Sequence, residues 1–222
     1  MDLLFLNILL ALVPSLILLW YFLRWDRARR EPKGLIFFAF ALGFVAVIPA
    51  ALLEILIDPL AANYPPVLRL FFRAFIVAGL VEEGTKLFVV RRFIIDKPAF
   101  DEIMDGIVYT VSASLGFAFF ENLFYSTGEP ATLIIRGLTA VPLHALASGI
   151  MGYFLGLSKF ERPGAWKSGL ALAVFIHGLY DFLLFLGGAF AFFVFPLMLW
   201  SLRGLSIYQT RAVRADRKAG RS

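Results

Sequence analysis

The sequence predicts an all-α protein, a polytopic membrane helical bundle with about seven transmembrane helices. Hydrophobic residues make up 60% of the 222 positions and charged residues only 17%, with a mean hydropathy of +0.82. Soluble chains carry about 45–50% apolar and about 25% charged residues, so a soluble domain of this length could not bury so much apolar surface. The chain contains no cysteine, which excludes disulfides and thiolate chemistry.

Seven apolar runs are long enough to cross a membrane, because a helix needs about 20 residues to span a hydrocarbon core of about 30 Å. The division between the last two runs depends on Gly187 and Gly188, the only turn-forming pair in a nearly continuous apolar stretch from Leu183 to Trp200. The predicted spans are residues 3–23, 34–57, 67–90, 104–125, 131–157, 168–187 and 189–208.

Basic residues lie in alternate loops, and this pattern predicts the orientation. The loops at 58–66, 126–130 and 187–188 contain no Lys or Arg. The positive-inside rule therefore places the N-terminus outside and the C-terminus in the cytoplasm. The net charge of +5 is explained by topology, so nucleic acid is not an expected partner. The loop and tail positions are Arg24, Arg27, Arg29, Arg30, Lys33, Arg91, Arg92, Lys97, Lys159, Arg162, Lys167, Arg203, Arg211, Arg214, Arg217, Lys218 and Arg221.

The chain is predicted to form one membrane domain over residues 1–210, with its motif-bearing core at about 70–185. Residues 211–222 form a basic cytoplasmic tail. We expect this tail to be disordered or to lie at the lipid surface, where anionic headgroups attract Lys and Arg.

Four consecutive predicted spans carry polar residues that a lipid-facing helix would not tolerate. A charge at the bilayer centre costs at least about 2.5–3.5 kcal/mol, so such groups face one another or a water-filled cavity. At 1.5 Å per residue, the acids and histidines among them lie about 10–24 Å from the basic ends of their spans. One shared site is therefore predicted from Glu82, Glu83, Lys86, Glu121, Asn122, His144, His177 and Asp181.

Each of these residues also has a structural interpretation. Glu82 and Lys86 could form an i,i+4 ion pair within one helix. His144 could be a packing hydrogen bonder, His177 and Asp181 a structural pair, and Asn122 an amide that bridges helices. Asp105 is expected at the cytoplasmic edge, while Arg69, Arg73 and Arg136 can snorkel or pair with Glu54. The whole set is too costly for packing alone.

Carboxylates and imidazoles in a dry pocket are suited to activating water. A carboxylate can act as general base and a histidine can stabilise an oxyanion or donate a proton. The same groups could bind a divalent metal such as zinc, with Glu121, His144 and His177 as candidate ligands. The sequence has no His-Glu-x-x-His, no Gly-x-Gly-Asp and no Gly-x-Ser-Gly, which excludes three other kinds of intramembrane protease.

The ordered motifs resemble the PrsW family of bacterial intramembrane proteases, which is related to type II CAAX prenyl endopeptidases and to the APH-1 subunit of γ-secretase. The CAAX enzymes carry histidine at the position of Glu121 and arginine at that of Lys86, so PrsW is the better match. The matching elements are Glu82-Glu83-x-x-Lys86, Asp105-Gly106-x-x-Tyr109, Phe117-x-x-x-Glu121-Asn122, His144 and His177-x-x-x-Asp181.

The resemblance implies a multi-pass protein of a bacterial cell membrane that cleaves a membrane-anchored protein. It implies that Glu82 and Glu83 are the essential carboxylates and that Glu121, His144, His177 and Asp181 complete the catalytic site, with Lys86 and Asn122 in support. The implied substrate is an anti-sigma factor cut at site 1, and both a metal-dependent and a metal-free glutamate mechanism stay open. The alternatives are a proton- or cation-coupled transporter, or a non-catalytic scaffold similar to APH-1.

Overall fold

The computed structural model describes residues 3–25 and 31–221, and these residues form a bundle of helices. The predicted basic residues Arg27, Arg29 and Arg30 lie outside the described residues, as does Ser222. The helices are α1 (Leu3–Trp25), α2 (Lys33–Ile57), α3 (Pro66–Phe72), a π-helical segment (Arg73–Leu80), α4 (Val81–Phe93), α5 (Ile103–Leu123), α6 (Pro130–Leu138), α7 (Ala140–Phe160), α8 (Trp166–Leu186) and α9 (Val194–Lys218), with short 3₁₀ helices at Asp58–Ala61 and Gly188–Phe193.

The predicted polytopic helical bundle is confirmed. Within the described ranges, six helical segments are long and apolar enough to cross a membrane. The third predicted span, 67–90, is likewise one run of helix from Pro66 to Phe93, but its charged residues and its π segment set it apart from those six. The six segments are Leu3–Arg24, Lys33–Ala61, Ile103–Leu123, Pro130–Phe160, Trp166–Leu186 and Gly188–Lys218.

The turn between the last two spans occurs where the glycine pair predicted it. Helix α8 ends at Leu186, and Gly187 and Gly188 follow with φ values of 66° and 55°. Residues with a side chain rarely adopt such positive φ values, so glycine suits both positions. The chain can therefore reverse direction between α8 and α9.

Helix α5 is the centre of the bundle, with 89% of its span buried. It packs against α7 along a seam of glycines: a Cβ on Gly106 would lie 2.2 Å from the carbonyl oxygen of Gly152, and one on Gly156 would lie 2.4 Å from that of Ile103. Small residues allow helix backbones to approach this closely in membranes. Helix α2 packs on the other side of α5 in the same way, since a Cβ on Gly43 would overlap Ala113.

The ends of α4, α7 and α9 meet at one end of the molecule, which we call the basic end. There the Lys159 ammonium donates to the carbonyl oxygens of Ile95 and Phe100, at 2.6 Å each, and Arg221 pairs with Glu161 at 3.0 Å. The shared position of these segments agrees with the loop pattern that predicts a cytoplasmic face. The direction of the bundle across the membrane stays a prediction.

Most of the tail is helical rather than disordered, and its position at the lipid surface stays a prediction. Helix α9 continues to Lys218, and the carboxylate of Asp216 is fully buried. This carboxylate accepts hydrogen bonds from the backbone N–H groups of Ile103 and Met104 at 3.0–3.2 Å. The first N–H groups of a helix have no hydrogen-bond partner within the helix, and an acid near them also interacts favourably with the positive end of the helix dipole. The tail is ordered because it caps α5.

Candidate active site

Glu82 and Glu83 lie in the first turn of α4, directly after the π segment, and both are buried. Lys86 joins them: its Nζ lies 3.1 Å from Glu82 Oε2 and 2.8 Å from Glu83 Oε1. The simple i,i+4 pair therefore accounts for only one of its contacts. Lys86 Nζ also lies 4.2 Å from the centre of the Phe117 ring, a favourable position for a cation.

His144 on α7 receives the third hydrogen bond of the lysine. Lys86 Nζ lies 2.8 Å from His144 Nδ1, and His144 Nε2 lies 3.0 Å from Glu121 Oε2. An ammonium group only donates, so Nδ1 accepts and Nε2 carries the proton that is donated to Glu121. The contact fixes both the tautomer and the orientation of the ring. His144 is thus part of the site rather than a packing residue alone.

Glu83 is sealed from solvent by contacts to two other helices. The Ser148 hydroxyl of α7 donates to Glu83 Oε2 at 2.7 Å, and His177 Nδ1 of α8 lies 3.0 Å from Glu83 Oε1. The exposed fraction of Glu83 is 0%, whereas that of Glu82 is 7%. Glu83 therefore ties α4 to α7 and α8, whereas Glu82 keeps an open side.

His177 has carboxylates near both of its ring nitrogens. Besides the Nδ1 contact with Glu83, its Nε2 lies 3.4 Å from Asp181 Oδ2 and 3.9 Å from Glu82 Oε2. The two histidine rings meet edge to face with their centres 4.9 Å apart. The predicted set from spans 3 to 6 is thus brought into one cluster.

Arg136 belongs to this cluster, although its place near a span end predicted snorkelling or a pair with Glu54. Its guanidinium lies 2.5 Å from Glu121 Oε1, and its Nε donates to Asn122 Oδ1 at 2.6 Å. Helix α6 ends at Leu138 and α7 begins at Ala140, and this break lets Arg136 point toward α5. The sequence offered one sign that Arg136 could reach the site, because it lies only eight residues before His144. Arg73 does not pair with Glu54 either, but with Asp58 at 2.7 Å.

A cavity of about 210 Å³ opens onto one side of the cluster. Glu82 and Glu121 contribute to its wall, and Glu83 does not. Glu54 of α2 also lines the cavity, a position that sequence reasoning treated only as a partner for arginines. The remaining lining residues are apolar or aromatic: Val47, Ala51, Phe117, Phe124 and Tyr125. Of the two adjacent glutamates, only Glu82 would contact water or a peptide in this cavity.

Residues 31–202 match the family model described as "PrsW family intramembrane metalloprotease". The chain belongs to the PrsW family. It is 37% identical over 197 residues to "Protease PrsW" of Geobacillus kaustophilus, which covers 86% of this chain and 85% of the relative. It is 32% identical to "Protease PrsW" of Bacillus subtilis over 86% and 88%, and 32% identical to that of Clostridioides difficile over 87% of each. No solved structure matches.

PrsW membership identifies the chain as a peptidase and as an integral, multi-pass membrane protein. The family description also implies a metal, and the donor chemistry of the cluster fits one. Glu82, His144 and His177 each offer a ligand atom, and the three atoms lie within 4.8 Å of one another. One carboxylate and two imidazoles with an open position form a known type of catalytic zinc site.

This donor set contains Glu82 in place of Glu121, which the sequence suggested as a ligand. Glu121 is held by Arg136 and His144, whereas Glu82 faces both histidines. Because both nitrogens of His144 have hydrogen-bond partners, a metal bound by His144 would replace one of those hydrogen bonds.

Proposed function

We propose that this intramembrane protease hydrolyses a peptide bond of a membrane-anchored protein at the Glu82 side of the cluster. The observation that carries the proposal is the difference between the two adjacent glutamates. Glu82 lines the cavity, and Glu83 is closed off by Lys86, Ser148 and His177. Glu82 is therefore the carboxylate placed to contact the hydrolytic water, and Glu83 is the one that positions its neighbours.

The chemistry follows from which groups are free to act. Lys86 supplies one positive charge that the two glutamates share in a site with little water, where an unpaired carboxylate would be costly. Glu82 accepts the proton of the attacking water and can pass it to the leaving amine. His177 is held by Glu83 and Asp181, and it is the donor placed next to Glu82 for the oxyanion.

In the alternative, metal-dependent mechanism, Glu82, His144 and His177 would hold a divalent metal, which we propose to be zinc, instead of acting as general base and oxyanion donor. The metal would supply Lewis-acid polarisation of the scissile carbonyl. Glu121, Arg136 and Asn122 would then hold His144 from behind, as partners of metal-binding histidines commonly do.

For the substrate, we propose a membrane-anchored anti-sigma factor cut at its first site in regulated proteolysis. This proposal is supported by the resemblance of the motifs to the PrsW family. Cleavage of a tethered anti-sigma factor with an intact extracytoplasmic segment, compared with an unrelated single-span protein, tests it directly.

The roles of the two glutamates are tested with purified protein and a single-span substrate. Glu82→Gln should lower kcat by about 10²–10⁴-fold, the usual contribution of a general base, and leave the unfolding midpoint unchanged. Glu83→Gln should instead lower the unfolding midpoint, because Lys86 and His177 lose their shared partner. Full activity of Glu82→Gln would disprove the assignment.

Metal analysis of the same preparations decides between the two mechanisms. A bound zinc that is lost in His144→Ala and His177→Ala, together with inhibition by a chelator, would support the metal site. Full activity of a metal-free preparation would show that Glu82 acts without one. Glu129→Gln, an exposed acid outside the cluster, serves as the control.

A further inference from the structure

A second cavity, of about 380 Å³, lies on the outside of the bundle near the basic end. It is a groove between α4 and α8. The two helical runs are in close contact farther from the basic end, where a Cβ on Gly79 would lie 3.2 Å from the carbonyl oxygen of Val174. At Gly84 the neighbouring helix has moved away, because a Cβ there would meet nothing within 4 Å. The helices thus diverge and leave a wedge-shaped gap.

The groove combines an apolar floor with a basic rim. Leu87, Phe88 and Leu170 form the apolar part, and Phe88 is 61% exposed. Arg91, Arg92 and Trp166 line the end that lies at the last turn of α4. The guanidinium of Arg91 stacks on the Trp166 ring at 4.1 Å, which holds it at the edge of the groove.

Within the described part of the chain, Arg91 and Arg92 form no ion pair with an acid. Their guanidinium groups lie over the aromatic rings of Trp166 and Phe93. Arg73, Arg136 and Arg221 each pair with an acid. Neighbouring guanidinium groups suit a phosphate, which they can bind through paired hydrogen bonds. Tryptophan is typical of the membrane–water interface, so the rim lies at headgroup depth and the floor at acyl-chain depth.

We propose that this groove binds one anionic phospholipid. Its phosphate would lie between Arg91 and Arg92, and one acyl chain would run along Leu87, Phe88 and Leu170 toward Gly84. Charge selects an anionic headgroup, and the length of the apolar floor selects a lipid over a free phosphate ion. The site is separate from the catalytic cluster, and its test does not depend on proteolysis.

Binding is measured by native mass spectrometry of delipidated protein mixed with phosphatidylglycerol or with phosphatidylcholine of the same chains. Wild type should bind one phosphatidylglycerol more tightly than phosphatidylcholine. Arg91→Gln with Arg92→Gln should weaken this binding by about fivefold for each arginine removed. The control is Arg214→Gln with Arg217→Gln, which removes two exposed charges from α9 and should bind like wild type.

A variant that fills the groove separates lipid from anion binding. Gly84→Leu keeps both arginines and occupies the space of the acyl chain, so it should also weaken phosphatidylglycerol binding. If that variant fails to fold, Leu170→Trp fills the groove from α8. Equal binding by all variants would overturn the proposal. If glycerol phosphate competes with the lipid and Gly84→Leu has no effect, the groove binds an anion and the proposal is wrong. If the variants bind lipid like wild type but have a raised KM for a protein substrate, a substrate helix occupies the groove instead.

Discussion

Two clusters of buried acids occur in this molecule, one inside the membrane and one at the basic end, and they use their carboxylates differently. At the basic end, Asp105 accepts hydrogen bonds from the backbone of Asp101 and Glu102, and Asp216 accepts them from Ile103 and Met104. These acids serve the first turn of α5. These peptide N–H groups neither titrate nor move a proton. Asp216 also pairs with Arg221 at 2.8 Å, and Asp105 with the Glu31 carboxyl.

The intramembrane cluster has partners of another kind. Its acids face a lysine, an arginine and two histidines that come from four different helices, and part of it opens to a cavity. Burial of an acid is thus common to both clusters and does not by itself mark an active site. Histidine partners and an opening to a cavity distinguish the catalytic cluster from the structural one.

The largest effect is expected from removing the cation of the intramembrane cluster. Lys86→Met should cost about 3–5 kcal/mol of stability, because it leaves two buried carboxylates without their shared partner. Denaturant titration in mild detergent measures this loss. Adding Glu83→Gln should restore part of it, since one unpaired charge is then removed.

The control for this pair is Lys97→Met, an exposed lysine that should change stability by no more than about 0.5 kcal/mol. If Lys86→Met proves as harmless as Lys97→Met, the lysine does not hold the cluster together, and the contrast between the two regions loses its main support.

A smaller effect is expected from Ser148→Ala. This change removes a hydrogen bond to the buried Glu83 carboxylate and should cost about 1.5–3 kcal/mol, the usual range for a hydrogen bond to a charged group. Ser112→Ala is the matched control, because its hydroxyl bonds only to the carbonyl of Val108 in its own helix. Equal stabilities of the two variants would argue against a structural role for Glu83.

The smallest effect is expected at the basic end. Asp216→Ala should cost about 0.5–2 kcal/mol, the range measured for the loss of a helix cap. The kcat of the folded fraction should not change, since no residue of this cluster reaches the cavity. Loss of kcat at unchanged stability would place the basic-end cluster within the catalytic machinery and end the distinction. Arg217→Ala, an exposed neighbour, is the comparison.

Much of the fold could be predicted because membranes restrict the choices. Apolar length located the spans, and two glycines located the turn between α8 and α9. The cost of charge in lipid required the polar residues of four spans to meet, and the structure brings them together. Which of Glu82 and Glu83 faces the cavity could not be predicted, because Lys86 lies four and three residues after them and can pair with either.

Other features depend on contacts between distant segments. The inward turn of Arg136 follows from the break between α6 and α7, and a position near a span end predicts the opposite. The capping of α5 by Asp216 joins residues more than a hundred positions apart. Because most charged residues of the tail are basic, nothing in the sequence indicated a structural role for Asp216.

The π segment at Arg73–Leu80 has a consequence for insertions and deletions. A π turn is equivalent to one extra residue in an α-helix, and each residue added or removed rotates what precedes it by about 100°. A homologue could lose one residue between 73 and 80, straighten into a regular α-helix, and still direct its glutamates inward. The same deletion between Glu83 and Lys86 would change the two spacings to i,i+3 and i,i+2, so the lysine could no longer contact both acids. Single-residue gaps between Arg73 and Leu80 should therefore be tolerated, whereas gaps between Glu83 and Lys86 should abolish activity.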